Sequence, residues 1–197
     1  DIKPENIVIK SYSRCEVKLI DFGSSCFTTD HLTSYIQSRS YRAPEVILGL
    51  DYGPGIDIWS LGGVLAEMHT GYVLFQNDSL ATMLARIQGI LGQYPSYILE
   101  QGREVNRYFS SSGVIYERSE DGEGNTSLVL IYPKKTTLRH RLHLPKLEEL
   151  TDEETKFLDF VGWMLHLDPN KRPNAGQALL HPWFDDVDTI DVSYIDT

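Results

Sequence analysis

Two short acidic motifs near the start of the chain contain the residue types that phosphoryl transfer requires. Asp1, Lys3 and Asn6 occur within six residues, and Asp21 opens an Asp-Phe-Gly triplet fifteen residues after Asn6. Asp1 could accept the proton of an attacking hydroxyl, and Lys3 would place a positive charge beside the transferring phosphoryl oxygens. Asn6 and Asp21 carry hard oxygen ligands that suit Mg²⁺. Each motif alone also fits an ordinary surface turn, but their order and spacing together favour phosphoryl transfer.

Three further residues are candidates for the frame that holds these groups. Glu45, in an Ala-Pro-Glu triplet, is expected to form an ion pair with Arg172 far along the chain. The pair would attach the long loop before Glu45 to the helical core. Asp57, at the head of an apolar helix, could accept backbone N–H hydrogen bonds from the Asp1 loop and hold its shape. Alternatively, Asp57 is a first-turn acid stabilised only by the helix dipole.

Hydrophobic patterning predicts the elements that position these residues at the N-terminal end of the chain. The β-branched runs at 7–9 and 17–20 predict a small hairpin between Asn6 and Asp21. Residues 24–42 are polar and aperiodic, which predicts a long loop of the kind that is usually functional.

The rest of the chain is predicted to be mostly helical. Runs at 114–116 and 128–132 flank a Gly-rich turn and predict a second hairpin. The fold class is therefore expected to be mainly α, an α+β arrangement with short hairpins. Amphipathic or apolar patterns and capping signals predict helices over 56–70, 79–91, 152–167 and about 174–180.

Composition restricts the class of protein. A chain of 197 residues with 41% apolar and 23% charged residues is typical of one soluble globular domain. The net charge of -10 argues against a general nucleic-acid binder, although residues 134–141 form a local positive segment. The two cysteines form no CxxC pair, which indicates a reducing compartment, the cytoplasm or the nucleus. No apolar run approaches a membrane span, and the six histidines lack the spacing of a zinc site.

These motifs, taken in order, resemble the C-terminal lobe of a eukaryotic protein kinase. The resemblance covers residues 1–184 and leaves 185–197 as an acidic C-terminal tail. It implies ATP and Mg²⁺ as cofactors and serine or threonine hydroxyls of other proteins as substrates. It also implies that the nucleotide and its metal contact Lys3, Glu5, Asn6 and Asp21.

Within the kinases, residues 21–26 (Asp-Phe-Gly-Ser-Ser-Cys) and 35–42 (Tyr-Ile-Gln-Ser-Arg-Ser-Tyr-Arg) resemble the dual-specificity tyrosine-regulated (DYRK) family. The insert between the second and third predicted helices is similar to that of the wider CMGC group. Segments 70–78 and 138–142 resemble plant-type members.

The DYRK resemblance implies a switch in the long loop. Family members autophosphorylate the tyrosine that matches Tyr35, and its phosphate would be held by Arg39 and Arg42. Ser38 occupies the position that hydrogen-bonds to the catalytic Asp and Lys. Many members carry a Tyr-x-Tyr pair where this chain reads Thr33-Ser34-Tyr35, so a single modified tyrosine is expected.

The chain also departs from a complete kinase domain. No glycine-rich loop, nucleotide-anchoring lysine or helix glutamate precedes Asp1. We therefore expect these 197 residues alone to bind ATP poorly, to transfer little phosphate and to expose apolar surface beside the helix at 56–70.

Two functions of different class follow. The first is a kinase that prefers substrates with a proline after the phosphoacceptor and a basic residue before it, and that is monomeric at full length. The alternative is a truncated or pseudokinase module acting through protein–protein interaction. The intact Asp1, Asn6 and Asp21 favour the enzyme.

Overall fold

A computed structural model describes residues 1–30, 35–120, 122 and 126–185. These residues form a mainly helical fold with two separate two-stranded antiparallel sheets, which confirms the predicted α+β class. None of the helices in these ranges is long and apolar enough to span a membrane. The helices are α1 (Pro44–Leu48), α2 (Gly55–Thr70), α3 (Leu80–Leu91), α4 (Ser96–Gln101), α5 (Leu138–Arg141), α6 (Asp152–Met164) and α7 (Ala175–Ala178). The strands are β1 (Ile7–Ser11), β2 (Glu16–Leu19), β3 (Ile115–Glu120) and β4 (Thr126–Ile131).

Helix α2 forms the centre of the core because apolar residues occur around most of its circumference. Trp59 is fully buried and stacks on Phe75, with ring centroids 5.4 Å apart. Helix α6 packs against α2. The chain just beyond α6 approaches so closely that a Cβ added at Gly62 would lie 2.9 Å from Leu165 Cγ. Closely packed helices therefore support the loops that carry the candidate site.

Capping residues define the beginnings of α3 and α6 as predicted. The Ser79 side chain accepts a hydrogen bond from the backbone N–H of Thr82, and the backbone N–H of Ser79 donates one to the Thr82 side chain. Thr151 and Glu154 form the same reciprocal pair at the start of α6. These capping boxes satisfy backbone donors that have no partner within the helix.

The C-terminal ends of the last two helices were predicted too far along the chain. Helix α6 ends at Met164 rather than at residue 167, and α7 covers four residues rather than 174–180. Leu165 leaves helical geometry, with φ -92° and ψ 22°, and the chain then turns into the 3-10 turn at Pro169–Lys171, so packing of the following segment and not a local sequence signal sets the end of α6. The short helices α1, α4 and α5 were not predicted as helices, because four to six residues are too few to display helical periodicity.

The β1–β2 hairpin places the two acidic motifs side by side. Ile7 pairs with Leu19, and one residue further out the backbone N–H of Ile20 donates to the carbonyl of Asn6 at 2.9 Å. Asn6 and Asp21 are therefore held at the same end of the hairpin. The hairpin is also where apolar side chains are exposed, including Ile9 and Val17. Most apolar side chains of α2 are buried, with Met68 an exception at 72% exposed, so the exposed apolar surface lies mainly on the hairpin and only in small part on α2, where it was expected.

The β3–β4 hairpin projects from the insert that follows α4. Its strands pair in register from Ile115 opposite Ile131 to Glu120 opposite Thr126. The base is attached to the helical layer by a hydrogen bond of 2.8 Å from Thr136 N–H to the carbonyl of Gly89. The predicted second hairpin is therefore present.

Candidate active site

The loop of residues 1–6 is shaped by its own hydrogen bonds. Pro4–Asn6 forms a single 3-10 turn, and the buried Asn6 donates from Nδ2 to the backbone carbonyl of Asp1 at 2.9 Å. Its backbone N–H donates to the carbonyl of Lys3 at 3.0 Å. The Asn6 side chain therefore ties the two ends of the loop together and fixes the backbone on which Asp1 and Lys3 stand.

Asp1, Lys3 and Ser38 form a closed set of contacts. Lys3 Nζ lies 2.6 Å from Asp1 Oδ2 and donates to Ser38 Oγ at 3.0 Å. The backbone N–H of Ser38 donates to the other Asp1 oxygen, Oδ1, at 2.6 Å. Ser38 thus makes the contacts with Asp1 and Lys3 that the kinase resemblance implied. Because both oxygens of the carboxylate are held by charged or backbone donors, its orientation is set before any substrate arrives.

Asp21 lies at the exposed end of the site. It adopts left-handed backbone geometry, with φ 59° and ψ 73°, and its Oδ1 accepts a hydrogen bond of 3.3 Å from Gly23 N–H. Phe22 beside it is 68% exposed, and Glu5 is exposed as well. Asp21 is therefore positioned by the hairpin and by one weak local bond, without a surrounding core.

Asn6 and Asp21 fit a Mg²⁺ site. Asn6 uses its amide nitrogen within the loop, and its Oδ1 accepts no hydrogen bond from the described part of the chain. Asp21 supplies a carboxylate on the neighbouring strand end. Mg²⁺ is typically held by one or two such protein oxygens together with phosphate oxygens and water. Within the described ranges no cluster of three His, Cys, Asp or Glu side chains forms a metal site made by protein alone.

Tyr35, Arg39 and Arg42 line one cavity of about 760 Å³ that also reaches Asp1 and Ser38. The Tyr35 side chain is 90% exposed. Arg39 donates to the carbonyl of Asp78 at 3.3 Å. Burial lowers the pKa of the Arg42 guanidinium, and the positive charge of Arg39 lowers it further. Two cations therefore lie close together beside an exposed tyrosine hydroxyl, an arrangement that an anion would stabilise.

Gln37 is a site residue that the sequence interpretation missed. It is buried and has φ 61°, in the left-handed region that is uncommon for a residue with a side chain. Its Nε2 donates to the Ile56 carbonyl at 2.9 Å and to Ser60 Oγ at 2.7 Å, and its Oε1 accepts from Ala43 N–H at 3.0 Å. One glutamine in a polar loop carries no sequence signal of burial, so only the fold identifies it.

The predicted ion pair between Glu45 and Arg172 is present and buried. Arg172 Nη1 and Nη2 lie 2.5 Å and 2.8 Å from the two Glu45 carboxylate oxygens, and both side chains are at most 1% exposed. Arg172 also donates to the carbonyls of His166 and Gly55, and its guanidinium lies 4.9 Å from the Trp59 ring centroid. Nearly every donor of Arg172 is used, as a buried charge requires.

Asp57 does not make the predicted contacts with the Asp1 loop. Its side chain is exposed in the first turn of α2, and no hydrogen bond joins it to residues 1–6. It lines a cavity with Asp1, and protein around the carboxyl raises its pKa by desolvation. The first turn of α2 therefore places this carboxylate beside the loop without joining it.

Comparison with known proteins gives a consistent picture. Residues 1–184 match the protein kinase domain family. The chain is 39% identical over 187 residues to "Dual specificity tyrosine-phosphorylation-regulated kinase 3" of Homo sapiens, covering 93% of this chain and 32% of that protein. It is 40% identical over 207 residues to "Serine/threonine-protein kinase ppk15" of Schizosaccharomyces pombe, covering 93% of this chain and 38% of that protein. It is 40% identical over 191 residues to "Dual specificity tyrosine-phosphorylation-regulated kinase mbk-2" of Caenorhabditis elegans, covering 93% of this chain and 23% of that protein.

The chain spans roughly a quarter to two fifths of the length of these curated relatives, from 23% to 38%. They come from a primate, a yeast and a nematode, and the plant-type lineage suggested by segments 70–78 and 138–142 stays a prediction.

Proposed function

Because this chain belongs to the protein kinase domain family and is similar to its DYRK members, we propose that the protein transfers the γ-phosphoryl group of ATP to serine and threonine hydroxyls of other proteins. The observation that carries the proposal is the closed set of contacts among Asp1, Lys3 and Ser38. It joins a potential proton acceptor, a cation and the loop that would hold the substrate within hydrogen-bonding distance of one another.

The proposed roles follow from the positions of the side chains. Asp1 accepts the proton of the incoming hydroxyl, since its carboxylate is oriented and remains partly accessible. Lys3 stabilises negative charge on the transferring group. Asn6 and Asp21 would hold Mg²⁺, which would supply charge neutralisation for the nucleotide phosphates. Glu5 lies exposed between Lys3 and Asn6 and is the proposed additional contact to the nucleotide.

The test is an intact-mass and phosphopeptide measurement on the full-length protein, produced in bacteria, with and without Asp21→Asn. We expect phosphate in the unaltered protein and none in the variant, because the neutral amide lacks the negative charge with which the Asp21 carboxylate would hold Mg²⁺. Asp51→Asn is the matched control, since Asp51 is an exposed acid whose partner, Arg103, lies outside the site. Absence of both phosphorylation and ATP binding in the unaltered protein would favour the interaction module instead.

We propose in addition that phosphate on Tyr35 orders the substrate-binding loop. The exposed hydroxyl and the neighbouring Arg39 and Arg42 support this, because a phosphate adds about two negative charges and three acceptor oxygens that guanidinium groups bind well. Arg39→Gln and Tyr35→Phe should each lower activity toward a peptide substrate, whereas Tyr12→Phe, at another exposed tyrosine, should not. Active full-length protein with unmodified Tyr35 would exclude the switch.

We propose that the substrate residue after the phosphoacceptor lies against the backbone carbonyl of Gln37, beside Ser38, which would give the preference for proline a local basis. The backbone carbonyl oxygen of Gln37 accepts hydrogen bonds from Arg42 Nη2 at 2.8 Å and from Arg42 Nε at 3.3 Å, so it has no capacity left for a substrate N–H. A substrate residue with a backbone N–H at this point would lose a water partner and gain none, while proline has no N–H to satisfy. Paired peptides that differ only by proline or alanine at that position should therefore differ in kcat/KM, with the proline peptide preferred. Equal values would contradict the preference.

A further inference from the structure

The β3–β4 hairpin has one polar strand and one apolar strand. The outer part of β3 reads Glu117-Arg118-Ser119-Glu120, whereas β4 and the following residue read Thr-Ser-Leu-Val-Leu-Ile-Tyr over 126–132. Val129 and Leu130 point to opposite faces of the sheet, and they are 51% and 52% exposed. A strand that is apolar on both faces is typical of the interior of a sheet and not of an edge in water.

The outer edge of β4 has no partner among residues 1–30, 35–120, 122 and 126–185. The corresponding edge of β3 is occupied at its base, where Tyr116 N–H donates to the Tyr108 carbonyl at 2.8 Å and Phe109 bridges Ile115. Beyond its pairing with β3, β4 makes no backbone hydrogen bond within those ranges. Sheet edges are commonly protected by charge, proline or a bulge. Residues 126–132 contain no charge and no proline, and the pairing with β3 is regular.

The charges around the hairpin favour a second copy of the same chain as the occupant. Glu120 lies opposite Thr126 at the tip, while the exposed Lys134 and Lys135 follow β4 at the base. Antiparallel pairing of β4 with β4 about a two-fold axis places the acidic tip of each hairpin next to the basic base of the other. With Val129 near the two-fold axis, Glu120 would lie about two interstrand spacings, roughly 10 Å, across the sheet from Tyr132 of the other copy, and Lys134 follows two residues further along, so the attraction is long-range and salt-dependent. The uncharged strands themselves create no repulsion between copies of a chain with net charge -10.

We propose that β4 is a homotypic docking edge, and that two copies join into a four-stranded antiparallel sheet in the order β3–β4–β4–β3. With Val129 near the two-fold axis, Leu128 of one copy lies opposite Leu130 of the other, so apolar side chains meet across the new strand pair. A contact through one strand per copy is small, which makes the dimer weak and concentration-dependent. The proposed dimer differs from the monomer that the kinase resemblance led us to expect. Its formation does not depend on the proposed catalytic function.

The test is sedimentation equilibrium of the full-length protein from about 1 to 200 µM, a range that brackets micromolar Kd values. We expect reversible dimerisation that weakens as salt rises. Val129→Lys should raise the dissociation constant at least about tenfold, because it places like charges opposite each other at the two-fold axis. Ser119→Lys is the matched control, since it adds the same charge to the same hairpin on the strand away from the contact. Circular dichroism verifies that both variants stay folded.

A disulfide crosslinking experiment tests whether the contact between copies is made by the β4 edge or by another surface. In a background where Cys15 and Cys26 are replaced by serine, Val129→Cys should form an intermolecular disulfide under mild oxidation and Ser119→Cys should not. A monomer throughout the concentration range overturns the proposal, including the case in which another part of the full-length protein covers β4. A dimer whose dissociation constant is unchanged by Val129→Lys also overturns the proposal, because its interface then lies elsewhere.

Discussion

The substrate side and the metal side of the candidate site are built differently. On the substrate side, Gln37 and Ser38 are tied into α2 and the Asp1 loop, and the segment ends at the buried Glu45–Arg172 pair. On the metal side, Asp21 and Phe22 stand at the exposed end of a hairpin with one local bond between Asp21 and Gly23. The helical core of this chain therefore preorganises the proton acceptor and the substrate loop, whereas the metal ligand Asp21 depends on the hairpin and on that one local bond.

Among these predictions, replacing the buried Arg172 should change the free energy of unfolding the most. Arg172→Ala leaves the Glu45 carboxylate uncompensated in the core, which should lower the free energy of unfolding by about 3–5 kcal/mol. Chemical denaturation measures this. The control Arg103→Ala removes an exposed pair with Asp51 and should cost less than about 1 kcal/mol. Similar losses for the two variants would show that the pair does not anchor the loop.

The second largest loss of stability is expected when the Gln37 side-chain amide, which holds the substrate loop, is removed. Gln37→Leu keeps most of the side-chain volume but leaves the Ala43 N–H without its acceptor, at a cost of about 1–3 kcal/mol of stability. It should also lower kcat/KM of the full-length protein for peptides, because Ser38 is the next residue. Gln101→Leu, at an exposed position on α4, is the control. If Gln37→Leu changed neither the stability nor kcat/KM, Gln37 would not be needed to hold the substrate loop.

A smaller effect is expected on the metal side. Phe22→Ala in this 197-residue chain should change the free energy of unfolding by less than about 0.5 kcal/mol, since the ring is largely exposed. Phe75→Ala, in the core, should cost about 3–5 kcal/mol. Repeating the pair in the full-length protein sharpens the comparison: a large cost for Phe22→Ala there would mean that the rest of the protein completes the metal side.

The smallest expected effect comes from Asp57. Partial desolvation by the surrounding protein raises the pKa of Asp57 in the folded chain above the ordinary 3.8, although its side chain stays exposed, so the protonated form is favoured by folding. The stability from this group is fully present below pH 3.8 and is lost as pH rises through the folded pKa. Asp57→Asn should therefore stabilise the chain at pH 7, by only a few tenths of a kcal/mol because the side chain is exposed and screened.

The pH profile of the two proteins checks this last prediction. The gain from Asp57→Asn, measured by urea denaturation, should shrink toward zero as pH falls below the ordinary carboxyl pKa. A variant that is less stable than the unaltered chain at pH 7 would instead indicate that folding stabilises the carboxylate, through the helix dipole or through hydrogen bonds, the two alternatives of the sequence interpretation.

Much of the fold could be predicted because its signals are local. The capping boxes at Ser79 and Thr151, the β-branched runs of the first hairpin and the apolar stretch of α2 each act through neighbours a few residues away. Helix ends were less predictable, since the end of α6 depends on how the chain turns into the Asp168-Pro169 segment. The short helices α1, α4 and α5 are held mainly by surroundings that no local pattern reports.

The sequence by itself determined which chemistry is available: the order and spacing of Asp1, Lys3, Asn6 and Asp21, and the acid and base of the Glu45–Arg172 pair. Only the tertiary structure decided that Gln37 is buried and that Asp57 lies beside the loop of residues 1–6 without a hydrogen bond to it. The reason is physical. Residue types and capping patterns act over a few residues, whereas burial and hydrogen bonding between distant residues depend on how the whole core packs.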